Sequence, residues 1–239
     1  MTLAALVRPA LLASAAVTAL AACQTTPTVS HYEYGQGLVE TCAAEACGTL
    51  GLDYAPLADY TQLNALSHVT ALMVSHTDLA NLSDIAAMAQ LRELHMGDTQ
   101  VRDLSGLSQL GNLRLIHMQG IAPTSWEPLT QVSGLRELAV GFYGMSDVSF
   151  VANLPRLEQL YLANVGAEMD LSGLGRHRGL RALHLDNDTV ADLSPLLDLP
   201  NLRRFSMLTF DPERHGDVIA QLRARGVTVD LEEPAVIVC

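Results

Sequence analysis

The chain contains no lysine. Its fourteen basic residues are all arginine and stand against 26 acids in 239 residues, a formal charge of −12. That balance excludes general nucleic-acid binding, which needs a net basic surface. Aromatics are also scarce, eleven in all with a single Trp. A core of stacked rings is therefore excluded, and 41 leucines point instead to a repetitive aliphatic one. The apolar run near the start, Pro9 to Ala22, has 14 residues, short of the roughly 20 that a membrane-spanning helix needs. No serine sits in a nucleophile elbow, no glycine-rich loop suits a phosphate, and no paired-carboxylate signature occurs. Catalysis is not expected, nor is a cofactor. With 49% hydrophobic and 17% charged residues, most of the chain is nevertheless too apolar to be disordered.

The first segment reads as an address. Arg8 is the one charged side chain of residues 1–22, and the apolar run ends in small residues, as a secretory leader and its cleavage site do. Leu20-Ala21-Ala22-Cys23 resembles a bacterial lipobox. That resemblance implies removal of residues 1–22 and acylation of Cys23, with two or three chains giving stable membrane anchoring. Gln24, where an Asp would retain the protein in the inner membrane, resembles a Gram-negative outer-membrane signal. Residues 23–35, with Thr25, Thr26, Pro27 and Thr28, read as a polar tether.

The rest repeats. Windows starting at Cys47, Val69, Leu91, Leu113, Leu135, Leu157, Leu180 and Leu202 are 22 residues apart, with one step of 23. Position 4 of each window is Leu50, Leu72, Leu94, Ile116, Leu138, Leu160, Leu183 and Phe205. Position 6 is Leu52, Val74, Met96, Met118, Val140, Leu162, Leu185 and Met207. Alternation of this kind puts both positions on one face of a short strand, and no single copy can bury that face alone. The L-x-x-L-x-L pattern, cleanest in Leu91–Asn112, resembles the leucine-rich repeat, and the 22-residue period its internalin-like class. The resemblance implies an α/β fold. It would be a right-handed solenoid with a parallel sheet on the concave face and short helices or 3-10 turns on the convex one. Eight copies span residues 47–211. Residues 36–46 are expected to form an N-terminal cap helix. Residues 212–239 form the C-terminal cap, with helical spacing at Val218, Ile219 and Leu222, then a strand from Val227 to Leu231.

The copies are not uniform. Thr77 and Thr99 stand where the family usually places Asn, and their hydroxyls can satisfy part of the turn. Trp126 falls where Leu82, Leu104 and Leu193 fall, an expected core position. Asp103, Asp147 and Asp192 recur before Leu, where an Asp accepts backbone N–H bonds. Of the cysteines, Cys42 and Cys47 can bridge if the cap helix ends between them. Cys239 lies at the far end, roughly 34 Å away for eight strands at about 4.8 Å per step, and is left as a free or intermolecular thiol.

Stacking converts each strand position into a column. In the repeat class that the chain resembles, position 5 faces the concave side, which would bring His95, His117, Tyr161 and His184 onto that face. Glu93 beside His95 and His117 raises a metal site as the sharper reading, against a solvated polar face as the plainer one. Position 2 reads Arg92, Arg114, Arg136, Glu158, Arg181 and Arg203. This arginine edge suits a carboxylate-rich protein or an anionic glycan, unless acids such as Glu93, Glu137 and Glu158 neutralise it and the stems merely cover core. Phe142 and Tyr143, in the loop after the fifth strand, are aromatic contact candidates. The resulting expectation is a lipid-anchored recognition protein with a protein partner and no resident metal. A structural envelope scaffold is the alternative, and a histidine-dependent metal site a weaker one.

Overall fold

A computed structural model describes residues 29–166, 168–186 and 190–231. Nine strands alternate with short turns in chain order. They are β1 (Thr49–Gly51), β2 (Ala71–Met73), β3 (Glu93–His95), β4 (Leu115–His117), β5 (Glu137–Val140), β6 (Gln159–Leu162), β7 (Ala182–Leu185), β8 (Arg204–Met207) and β9 (Thr228–Leu231). All pair in parallel as one open sheet in the order β1 to β9. The register follows the sequence period: Leu50 lies opposite Leu72, Leu72 opposite Leu94, and the 23-residue step places Leu160 opposite Leu183. Seven 3-10 turns, such as Ser105–Gln109 and Ser194–Asp198, carry the return path. This is the leucine-rich-repeat solenoid.

Packing explains the period. None of the sixteen residues at positions 4 and 6 is more than 3% exposed, and each such aliphatic side chain contributes about 1.5–3 kcal/mol on burial. Polar residues organise the turns between them. Asp103, Asp147, Asp170 and Asp192 each accept the backbone N–H two residues on, at 2.8 Å. The hydroxyls of Thr77 and Thr99 donate to the carbonyls of Val74 and Met96 at 2.6 and 2.8 Å. Trp126 is half-buried, stacked on Phe150 at 4.3 Å, and so packs on the core from its edge.

The ends are closed by helices. The first, α1 (His31–Glu45), begins five residues earlier than the cap expected at 36–46 and takes up part of the segment read as tether. The cause is a capping box: the Ser30 hydroxyl accepts from Glu33 N–H while the Glu33 carboxylate accepts from Ser30 N–H. Gly35, Val39 and Cys42 form its buried stripe. Gly35 is required there, because a Cβ would stand 2.6 Å from the Pro56 carbonyl oxygen. The helix stops at Ala46 in a left-handed conformation, which lets Cys42 and Cys47 form a disulfide with Cα atoms 4.9 Å apart. At the far end, α2 (Pro212–Ala224) starts on the Asp211 side-chain cap and buries His215, Ile219 and Leu222. It then leads into β9, so the C-terminal cap extends the sheet itself. No helix among the described residues is long and apolar enough to cross a membrane. The leader, Cys23 and Cys239 lie outside the described residues.

Candidate functional site

The strand register builds a row of rings across the open face. Gly51, Met73, His95, His117, Ala139, Tyr161, His184, Ser206 and Asp230 lie side by side in adjacent strands. The His95 and His117 rings meet edge to face at 4.5 Å, His117 and Tyr161 lie 6.1 Å apart, and Tyr161 and His184 lie 5.7 Å apart. The small side chain of Ala139 leaves the gap across which His117 and Tyr161 approach. Hydrogen bonds fix the row: His117 Nε2 to Glu137 Oε1 at 3.0 Å, His184 Nδ1 to the Ser206 hydroxyl at 2.7 Å, and the Tyr161 hydroxyl to Gln159 Oε1 at 3.4 Å. Burial first, and then the neighbouring His117, holds the His95 imidazole below its ordinary pKa. Burial and the Glu137 carboxylate raise the Tyr161 phenol, partly offset by Arg204. The face therefore offers ring edges and hydrogen-bonding groups.

The metal reading of this row is not assembled. Among the described residues, one grouping of three His, Cys, Asp or Glu ligand atoms falls within 4.8 Å, and it is Cys42, Cys47 and His68. Both of its cysteines are in the disulfide. Glu93, His95 and His117 share neighbouring strands without forming such a group, because Glu137 is the acid that reaches His117.

The arginine column divides into two kinds. Arg136 pairs with Glu158. Arg114 folds back and donates to the Leu113 carbonyl at 3.0 Å. Its guanidinium occupies the space a Cβ at Gly134 would need, so glycine at 134 is what lets it lie down. Arg92, Arg181 and Arg203 make no ion pair among the described residues. Arg181, Arg203 and Arg204 line a recess of about 310 Å³ together with Glu158, Gln159, Ala182 and Thr228. Among the described residues, the ion pair in this column is that of Arg136 with Glu158.

The loop aromatics also divide. Tyr143 is 94% exposed, whereas Phe142 is half-buried against the core. A further aromatic group was not singled out from sequence. Tyr54 and His76 stack at 4.3 Å beside α1, with Tyr32, Tyr60 and Asp78 next to them. Two signals mark it: four of the six tyrosines fall between positions 32 and 60, and Tyr54 and His76 share position 8 of successive copies.

No family model matches the chain, and no curated protein does. Among solved structures, internalin C2 of Listeria monocytogenes is 29% identical with a TM-score of 0.54, covering 64% of this chain and 67% of its own. An internalin F of the same organism is 18% identical with a TM-score of 0.56, covering 84% and 68%. A leucine-rich-repeat protein of Leptospira interrogans is 16% identical with a TM-score of 0.50, covering 70% and 44%. The chain is thus internalin-like in its repeat architecture, a scaffold that suits protein interaction.

Proposed function

We propose that this chain is an envelope lipoprotein, held in the outer membrane of a Gram-negative cell by acylated Cys23, whose repeat surface recognises a protein partner. The observation that carries the recognition reading is the ring row His95–His117–Tyr161–His184, aligned across five adjacent strands. Rings of this kind give large contact area at low entropic cost, and Tyr143 stands exposed in the loop after β5. The likeness to internalin solenoids supports an interaction module rather than an enzyme.

The test is crosslinked capture from intact cells. Replacing Tyr143 and Tyr161 with Ala should abolish one specific partner while leaving the melting temperature nearly unchanged; retention of that partner removes this face from the account. Cys23→Ser should release the protein from the membrane fraction, and persistence there would contradict the anchor. A second reading, an anionic glycan, is favoured by the recess in which Arg181, Arg203 and Arg204 stand against the single carboxylate of Glu158. It predicts retention on a sulfated polysaccharide that is lost when all three become Gln.

A further inference from the structure

Beside α1, the turns leaving β1 and β2 form a site with its own chemistry. Tyr54 and His76 adopt left-handed backbone, φ 59° and 58°, a conformation uncommon for bulky residues. This brings their rings into a stack 4.3 Å apart and 11° from parallel. Tyr54 is 66% exposed and Tyr32, from α1, 47%. Asp78 lies between the cap helix and the repeats. It accepts the Tyr32 hydroxyl on Oδ2 at 2.9 Å and the Tyr60 hydroxyl on Oδ1 at 2.8 Å. Tyr32, Tyr54, His76 and Asp78 line an open recess of about 290 Å³ with His31 and Pro56.

The permanent charge lining this recess is the Asp78 carboxylate. Ring faces carry negative potential, and Asp78 is the acceptor in both phenol hydrogen bonds. A second carboxylate, Asp98, sits 3.5 Å from His76 Nδ1. Residues 29–110 hold ten acids and two arginines, whereas residues 111–239 hold sixteen and eleven, so most of the excess negative charge gathers at this end. An anion is disfavoured by Asp78, and a neutral ligand gains nothing from its charge. A cation over tyrosine faces with a carboxylate beside it satisfies both features. We propose that the Tyr32–Tyr54–His76–Asp78 recess receives an arginine or lysine side chain of a bound protein. The assignment of that cation to a protein rests on the recognition reading above; the chemistry of the recess does not.

The experiment therefore uses no partner. Nα-acetyl-arginine amide is titrated at low salt into the full chain carrying ring-labelled tyrosine, with NMR as the readout. The same titration uses Nα-acetyl-citrulline amide, equal in shape and uncharged. Saturable shifts of Tyr32 and Tyr54 are expected with arginine, with Tyr143 unmoved. Binding should weaken about two- to fivefold in Tyr54→Ala, and at least as much with citrulline or in Asp78→Asn. Tyr54 is exposed, so its variant should keep the parent circular dichroism and melting temperature. Silent Tyr32 and Tyr54 resonances, or an equal response to citrulline, overturn the proposal. Either outcome leaves the capture experiment on Tyr161 and its neighbours independent, since that one reads a different face.

Discussion

The two ends of the solenoid are both covered by a helix but finished by different chemistry. At the N-terminal end, α1 is tied down by a disulfide, by the close contact at Gly35 and by the Tyr32 phenol on Asp78. At the C-terminal end no disulfide is present among the described residues. There α2 packs through Ile219 and Leu222, Arg225 donates to the carbonyls of Leu197 and Leu199, and β9 continues the sheet. The outer surfaces contrast as well, with acids and tyrosines gathered beside α1 and the arginines Arg181, Arg203 and Arg204 gathered near β7 and β8. Positions 4 and 6 are apolar and buried throughout, so burial does not distinguish the ends. Positions 2, 5 and 8 do, which means surface character can change along the solenoid without touching the packing.

That contrast can be broken by mutation. The largest effect is expected for Phe205→Ala, buried at the C-terminal end, at about 3–5 kcal/mol in denaturant unfolding. A cost under about 1 kcal/mol would mean that this end does not depend on packing. Converting Cys42 and Cys47 to Ser should cost about 2 kcal/mol, since the loop it closes is short. Hydrogen-exchange protection should fall in α1 and β1 and stay in β8; an even loss along the chain would contradict a local staple. Tyr60→Phe should cost about 1.5 kcal/mol, the low end for a bond to a charged acceptor because Asp78 keeps Tyr32.

Tyr60 also carries a pH signature. Burial is the main cause that pushes its phenol up to about 12, so the folded state holds this proton more tightly than the unfolded chain. The associated stability is present below pH 10 and lost between about pH 10 and 12; Tyr60→Phe should flatten that limb. The smallest expected effect belongs to His95. Its depressed pKa means the unfolded chain takes up the proton first, so stability is full above about pH 6.5 and declines as the medium is acidified below it. His95→Gln should reduce the slope, and an unchanged slope would place the acid sensitivity elsewhere.

What could be read from sequence follows the same division. Leu50 through Phe205 and Leu52 through Met207 declared the register, because a buried column must repeat its residue type at the structural period. The ring spacing was less legible: Ala139 matters through the gap it leaves, and a gap has no signature in one strand. Arg114 and Arg181 look alike in the column, yet Gly134 lets one fold inward while the other stays free. The start of α1 was missed because Ser30 and Glu33 sit within a polar stretch that reads as tether until the capping box is recognised. The Tyr54–His76 stack depends on left-handed turns, which ordinarily announce themselves with glycine and here do not.

The most direct measurement of the central claim places a photo-crosslinking amino acid at single sites in living cells. Positions 143 and 161 test the loop and the open face, and position 108, exposed on the 3-10 turn Ser105–Gln109, tests the opposite surface. The account predicts one protein adduct at 143 and 161 and none at 108. Adducts at 108 with none at 161 would contradict it.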